Sequence, residues 1–339
     1  MEVFDFDRQL AKTFVKDFDI PAYTTDEYTF FYQVKTYGNS HLWNFFVSVI
    51  NSFPGNIEEQ KQRFYEEKHK LEDEIINTIS NSEKYKEFNK MEFPEEFYEP
   101  AIPFKKIGSC ALTDDNYYLS IDLKSANIQA LYFMNSEITI GQNTWDDFVY
   151  EINGHNVMSD YLIASKHVRQ YVFGKLNPSR TITVEKHIMS KIYQFMVDNG
   201  HDYKVARFNN DEIVFAITNN DLKNVNLNTD KIKDLIYNEL NFIVHVKIYQ
   251  AKYFRLRNLQ NKDLTQQFLF KRYIDGSYKV KNVPLYLNGI VYKLINDGLI
   301  TPFDRHFCHD NMKCSILDEF ELVDDSGNTL SEYELKHIK

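Results

Sequence analysis

Two strand-like runs in this chain stop at carboxylates, and any fold it adopts must bring those strand ends to a polar place. Tyr117-Tyr-Leu-Ser-Ile121 is a short apolar run suited to a buried strand, and it ends at Asp122. Far downstream, Tyr203-Lys-Val-Ala-Arg-Phe208 and Ile213-Val-Phe-Ala-Ile217 read as a β-hairpin whose turn, Asn209-Asn-Asp-Glu212, carries two more acids. Turns select Asp and Asn by their own backbone chemistry, so acids at a hairpin tip are ordinary on their own. Joined by a third acid at another strand end, they supply what two-metal phosphoryl transfer requires. Carboxylates on adjacent strands can hold two divalent ions about 3.5–4 Å apart.

The surrounding pattern is α+β. Tyr28 to Lys35 alternates like a strand, and a charged run from residue 57 to about Lys90 places Phe64, Leu71, Ile75, Ile76 and Ile79 at helical spacing. Pro94, Pro100 and Pro103 mark a boundary. Residues 127–135 and 180–199 read as helices, the second stopping at Asn199-Gly200, and a helix over 230–240 precedes a strand at 242–248. The expected organisation is a mostly helical N-terminal lobe (1–103), a layered sheet domain (104–260) and a small C-terminal α+β lobe (261–339).

Composition narrows the class. The 339 residues include 27 Phe and 23 Tyr and are 43% hydrophobic, enough for a substantial core. Three cysteines, Cys110, Cys308 and Cys314, make no disulfide framework, no apolar stretch reaches the ~18–20 residues of a membrane span, and Met1 to Phe14 lacks a signal-peptide layout. A reduced, cytoplasmic protein without a membrane partner is expected. The net charge of −10 argues against indiscriminate nucleic-acid binding, yet residues 161–191 and 247–282 are both basic, so two positive segments on a negative body could hold a polyanion in one groove. His306, Cys308, His309 and Cys314 offer zinc-type ligands without the paired spacing of strong zinc sites, and buried or free cysteines are the simpler reading.

Three motifs in order carry a resemblance. Ser120-Ile-Asp-Leu-Lys-Ser-Ala-Asn-Ile-Gln-Ala-Leu131 resembles the first palm motif of template-directed nucleic-acid polymerases, and Arg207-Phe-Asn-Asn-Asp-Glu-Ile-Val-Phe215 resembles the third. Phe173-Gly-Lys-Leu-Asn-Pro-Ser-Arg180, followed by a helix, stands where the second belongs. The Asp-Glu-Ile-Val-Phe core is most similar to family A DNA polymerases, while the framing is more like reverse transcriptases. The spacing between the second and third motifs is too short for the former, and the usual paired aspartates of the latter are missing.

The resemblance implies a palm, an antiparallel sheet with helices on one face, flanked by fingers-like and thumb-like lobes. It implies Asp122 and Asp211 as ligands of two Mg²⁺ or Mn²⁺ ions, Glu212 as an auxiliary ligand, and the Leu123 carbonyl in the coordination shell. Lys175 and Arg180 would face the triphosphate, with Lys166, His167 and Arg169 as weaker candidates. Asn127 stands where such enzymes discriminate the sugar, and as a small residue it favours ribonucleotide tolerance, although it could simply cap the following helix. Lys252, Arg255, Arg257, Lys271 and Arg272, interleaved with Tyr249, Tyr253 and Phe254, would track a primer or template. The expected reaction is transfer of a nucleoside monophosphate from a nucleoside triphosphate to a 3′ end. A primase-like, viral enzyme with a replication or transcription partner protein suits the chain's size and Asn, Lys, Tyr and Ile content. A non-templated terminal transferase and a catalytically silent palm are the alternatives.

Overall fold

The computed structural model describes residues 6–24, 26–98, 102, 116–218, 222, 229–296, 299–309, 312–324 and 327–330. Cys110 and the boundary expected near Pro100 and Pro103 lie outside the described residues. The chain is an α+β protein built on an antiparallel sheet, and among the described residues no helix is long and apolar enough to cross a membrane.

The N-terminal lobe is helical: α1 (Arg8–Asp17), α2 (Glu27–Thr36), α3 (Ser40–Asn51), α4 (Ile57–Asn81) and α5 (Glu83–Lys90). A capping box starts α4, since the Asn56 side chain accepts from the Glu59 N–H and the Glu59 carboxylate accepts from the Asn56 N–H. Its buried stripe, Phe64, Leu71, Ile75 and Ile79, follows the expected spacing. The strand expected at Tyr28–Lys35 is instead α2. Asp26 caps that helix through the Thr29 N–H at 2.9 Å, and the residues it buries, Thr29, Phe30, Gln33 and Val34, follow a helical repeat that the aromatic alternation disguised.

Six strands form one path: β1 (Tyr117–Leu123), β2 (Lys204–Phe208), β3 (Glu212–Ile217), β4 (Val244–Asn258), β5 (Phe268–Tyr273) and β6 (Tyr278–Lys281), in the order β2-β3-β1-β4-β5-β6. Between β1 and β2 run α6 (Ala126–Met134), α7 (Trp145–Asn153), α8 (Val157–Ala164), α9 (Lys166–Lys175) and α10 (Pro178–Asp198), and α11 (Thr229–Leu240) joins β3 to β4. The first four strands with α10 and α11 therefore make the split β-α-β-β-α-β arrangement.

One face of this sheet is apolar. Leu119, Ile121, Leu123, Ile213, Phe215, Val246 and Ile248 are buried, in one core with Ile188, Ile192 and Met196 of α10 and Ile232 and Ile236 of α11. Each fully buried aliphatic side chain contributes roughly 1.5–3 kcal/mol. A one-residue slip of β1 would expose the whole set, so the register is firmly fixed. The same parity sends Ser120, Asp122, Glu212, His245, Lys247 and Lys271 to the other face.

β4 is longer than the expected strand and leaves the first core for a second one. Its far end pairs with β9 (Phe320–Val323), and Phe254 and Leu256 join Phe268, Phe270 and Leu322, together with Ile290 and Val291 of α12 (Asn288–Asn296). A separate hairpin, β7 (His306–His309) with β8 (Met312–Ser315), completes the C-terminal lobe.

A buried ionic group ties the helices together. Asp17 of α1 receives Lys68 of α4 at 2.5 Å and the hydroxyl of Tyr161 of α8, while His167 of α9 lies 3.5 Å from its other oxygen. A carboxylate that deep is tolerated only with such partners.

Candidate active site

The acids meet because three local features converge at one end of β1. Asp122 stands directly opposite Glu212 in the antiparallel register, which sets their Cβ atoms about 4.5–5.5 Å apart on one face. The hairpin closes with Asn209 N–H donating to the Glu212 carbonyl at 2.8 Å, and Leu123 N–H donates to the Asp211 carbonyl at 2.9 Å. The strand end and the hairpin tip are thus joined by backbone.

Beyond Leu123 the chain turns sharply into α6 through Ser125, whose φ of 50° is left-handed. Gln129 bolts this turn to the start of β4: its amide donates to the Lys124 and Ile243 carbonyls, and its oxygen accepts the Ile243 N–H at 2.8 Å. The position of Asp122 is therefore set from both sides.

Charge is concentrated here. Burial, followed by repulsion from Asp211 and Glu212, pushes the Asp122 carboxyl up to about 7, against the opposing pull of Lys247 and Lys271. Asp211 is also raised, first by burial and then by Glu212, with Arg207 acting the other way. Glu212 is the partnered acid. It accepts from the Ser120 hydroxyl at 2.7 Å, with Arg207 at 3.7 Å and Lys271 at 4.0 Å. Among the described residues, no three His, Cys, Asp or Glu side chains form a ready cation cage.

A fourth carboxylate, outside the three expected from the sequence, belongs to the group. Glu185 of α10 is 4% exposed, accepts from the Asn127 amide at 2.7 Å, and is pushed up to about 7 by burial and then by Asp211. The signal was present in the sequence, since Glu185 is the one acid within the apolar stripe of Val184, Ile188, Met189 and Ile192. Asn127 does not bond the backbone as a helix cap would; its amide is held by Glu185.

The expected phosphate ligands make other contacts. Arg180 donates to the Met91 carbonyl at 2.7 Å and lies 4.2 Å over the Phe93 ring, so it is committed to the helical lobe. Lys175 is exposed at the end of α9, with its ammonium 5.2 Å from the Tyr171 ring. Lys166 pairs with Asp19 at 2.6 Å. Arg169 lies within electrostatic reach of Asp146, which Lys124 approaches at 3.5 Å. His245, the cross-strand neighbour of Asp122, has its pKa lowered by burial and then by Lys247, Lys124, Lys233 and Arg169. Lys247 and Lys271 are the cations that act on Asp122 itself, and Lys124 flanks the strand end beside Asp146.

Strand parity divides the expected nucleic-acid residues. Lys271 shares the acids' face, buried with its ammonium 4.2 Å over the Tyr249 ring, whereas Lys252 and Arg272 project from the opposite face. Arg257 is absorbed by Glu321 at 2.8 Å, the Gly327 carbonyl at 2.8 Å and Thr329 at 2.7 Å, and Arg255 leans on the Thr265 carbonyl at 3.5 Å. In the β7–β8 hairpin, His306 and Cys308 fall on one face and His309 and Cys314 on the other, so the four zinc-type side chains do not converge.

No protein-family model, no curated protein and no solved structure matches this chain.

Proposed function

We propose that the chain is a palm-type nucleotidyltransferase, a small, primase-like, template-directed polymerase. It would transfer a nucleoside monophosphate from a ribo- or deoxyribonucleoside triphosphate to a nucleic-acid 3′ end. The observation that carries this reading is the juxtaposition of Asp122 with Asp211 and Glu212 at one end of a split β-α-β sheet, where burial and mutual repulsion raise two of the three carboxyls. Such a group is stabilised by cations.

The donor set fits Mg²⁺ or Mn²⁺, because it is dominated by hard carboxylate oxygens, with no thiolate among them and the His245 imidazole beside them. Asp122 and Asp211 would hold the ions, and Glu212, oriented by Ser120, would orient a ligand water. When bound, two such ions activate the attacking hydroxyl and neutralise charge on the leaving pyrophosphate. Lys247 and Lys271, with Lys124 at the strand end, would supply positive charge for the triphosphate, and Lys175 and Arg180 would have to leave their present contacts to join them. Glu185 fixes Asn127 so that its amide nitrogen is occupied and its oxygen is left to accept from a sugar hydroxyl. The chain, viral in origin on this reading, would work in a reducing compartment such as the cytoplasm, where Cys308 and Cys314 stay free, with a replication or transcription protein as its partner.

One observation favours a second reading, a catalytically silent palm that binds nucleic acid or a partner: Glu212 is already matched by Ser120, Arg207 and Lys271. Incubation with labelled nucleotides, Mg²⁺ or Mn²⁺, and primed, unprimed or template-free nucleic acid separates the readings. We expect template-dependent incorporation that falls by about 10²–10³-fold or more in Asp211→Ala. Incorporation without template would indicate a terminal transferase. Equal incorporation by wild type and variant would exclude the mechanism.

A further inference from the structure

A second candidate site lies away from the carboxylates, where the N-terminal helices face β6 and α12. It is a cavity of about 460 Å³, within the range that encloses small organic ligands. Three of its walls are aromatic. Tyr37 and Tyr292 meet edge to face at 5.4 Å and 79°, and Tyr278 is backed by Phe270, stacked at 5.4 Å and 21°. Asn39 and Asn288 also line it, and neither side-chain amide hydrogen-bonds within the described residues, although Asn39 occupies the helix-capping position of α3.

The rim is cationic. Lys279 lines the cavity, and Lys281 follows on the same side of β6. Neither has an acid within ion-pair distance among the described residues. Lys279 stands directly opposite Lys271 across the β5–β6 pair, a placement of like charges that costs stability. Crowding by the protein, then Lys279, Lys271 and Lys166, draws the Lys281 ammonium down to about 8. Asp19, which also lines the cavity, is engaged by Lys166 at 2.6 Å.

We propose that this cavity is a second nucleotide site, with a base held among Tyr37, Tyr278 and Tyr292, its edge read by Asn39 and Asn288, and its phosphates on Lys279 and Lys281. Planar aromatic walls with amide groups suit a nucleobase, and uncompensated lysines suit a polyphosphate. A simple dicarboxylate would use the lysines and leave the walls without purpose. The same chemistry is offered by a free nucleoside triphosphate and by the 5′-triphosphorylated end of an RNA strand. The site does not depend on the carboxylates being catalytic.

The test is equilibrium binding in EDTA, on the full chain carrying Asp122→Asn and Asp211→Asn so that metal-dependent binding at the other site is removed. The probes are ATP, inorganic tripolyphosphate, and a short RNA with either a 5′-triphosphate or a 5′-hydroxyl. Saturable ATP binding is expected, weakened at least about tenfold by Lys279→Gln with Lys281→Gln, a change to exposed side chains. Asn39→Leu should weaken ATP while leaving tripolyphosphate unchanged, a separation that general misfolding would not produce. ATP displaced by triphosphorylated but not hydroxyl-ended RNA would identify the strand end as the source, and ATP binding indifferent to both would identify the free nucleotide. Absence of binding by both ATP and triphosphorylated RNA, or wild-type affinity in the lysine double variant, overturns the proposal.

Discussion

Replacing Asp122 with Asn should stabilise the metal-free protein. A carboxyl pushed up to about 7 from 3.8 marks a carboxylate whose ionised form the fold disfavours. Below the unfolded pKa of about 3.9 both states are protonated and the group is neutral in its effect. Between that value and about 7 the folded chain keeps a proton that the unfolded chain has released, so stability declines as pH rises. Above about 7 the loss is complete. At about 1.4 kcal/mol per pH unit the ceiling is ~4 kcal/mol, and since Asp122 is only partly shielded from water we work with ~2 kcal/mol.

For a chain of this size that corresponds to roughly 3 °C in Tm. Circular-dichroism melts in EDTA should show the variant more stable by that margin at pH 8, with the gap shrinking to about a third at pH 5, where most of the decline has yet to occur. Mg²⁺ should then raise the wild type more than the variant, because a ligand stabilises the state that binds it. A wild type at least as stable as Asp122→Asn at pH 8 in EDTA would refute the electrostatic account of the site.

Three further outcomes follow from contacts described above. Asn127→Phe should fill the space beside Glu185 and shift incorporation from ribonucleotides towards deoxyribonucleotides; an unchanged ratio in competition assays would remove Asn127 from sugar selection. Arg257→Ala gives up charge-assisted bonds to Glu321, Gly327 and Thr329 and should cost about 2–3 kcal/mol in urea unfolding, with oligonucleotide affinity unchanged. Gly289→Ala drives a methyl group into the Asp304 backbone and should cost ~1–3 kcal/mol, read as a lowered Tm; an unaltered Tm would mean that α12 can move away freely.

The parts of the chain that sequence made legible are those with one strong local signal. Tyr117–Ile121 is a short, largely apolar run, and Pro178–Asp198 has an apolar stripe and a glycine stop, so both are readable without tertiary information. Tyr28–Lys35 carries aromatics that alternate like a strand, whereas burial selects Phe30 and Val34, one helical turn apart. The carboxylates were legible for the same reason as their strands. The cations were not, because parity decides which face a basic residue joins, and parity depends on pairing across distant strands. Lys247 and Lys271 reach the acids' face, while Lys252 and Arg272, next to them in sequence or type, do not.

β4 also bears on how the molecule can move. Its 15 residues span roughly 50 Å and contain neither glycine nor proline, so the strand behaves as a beam with one end beside Asp122 and the other inside the C-terminal core. A lobe mounted on such a beam would drag the carboxylate edge along when it rocks. Any grip on a long substrate would therefore have to tighten from the helical side, with the sheet and its C-terminal extension acting as the fixed jaw.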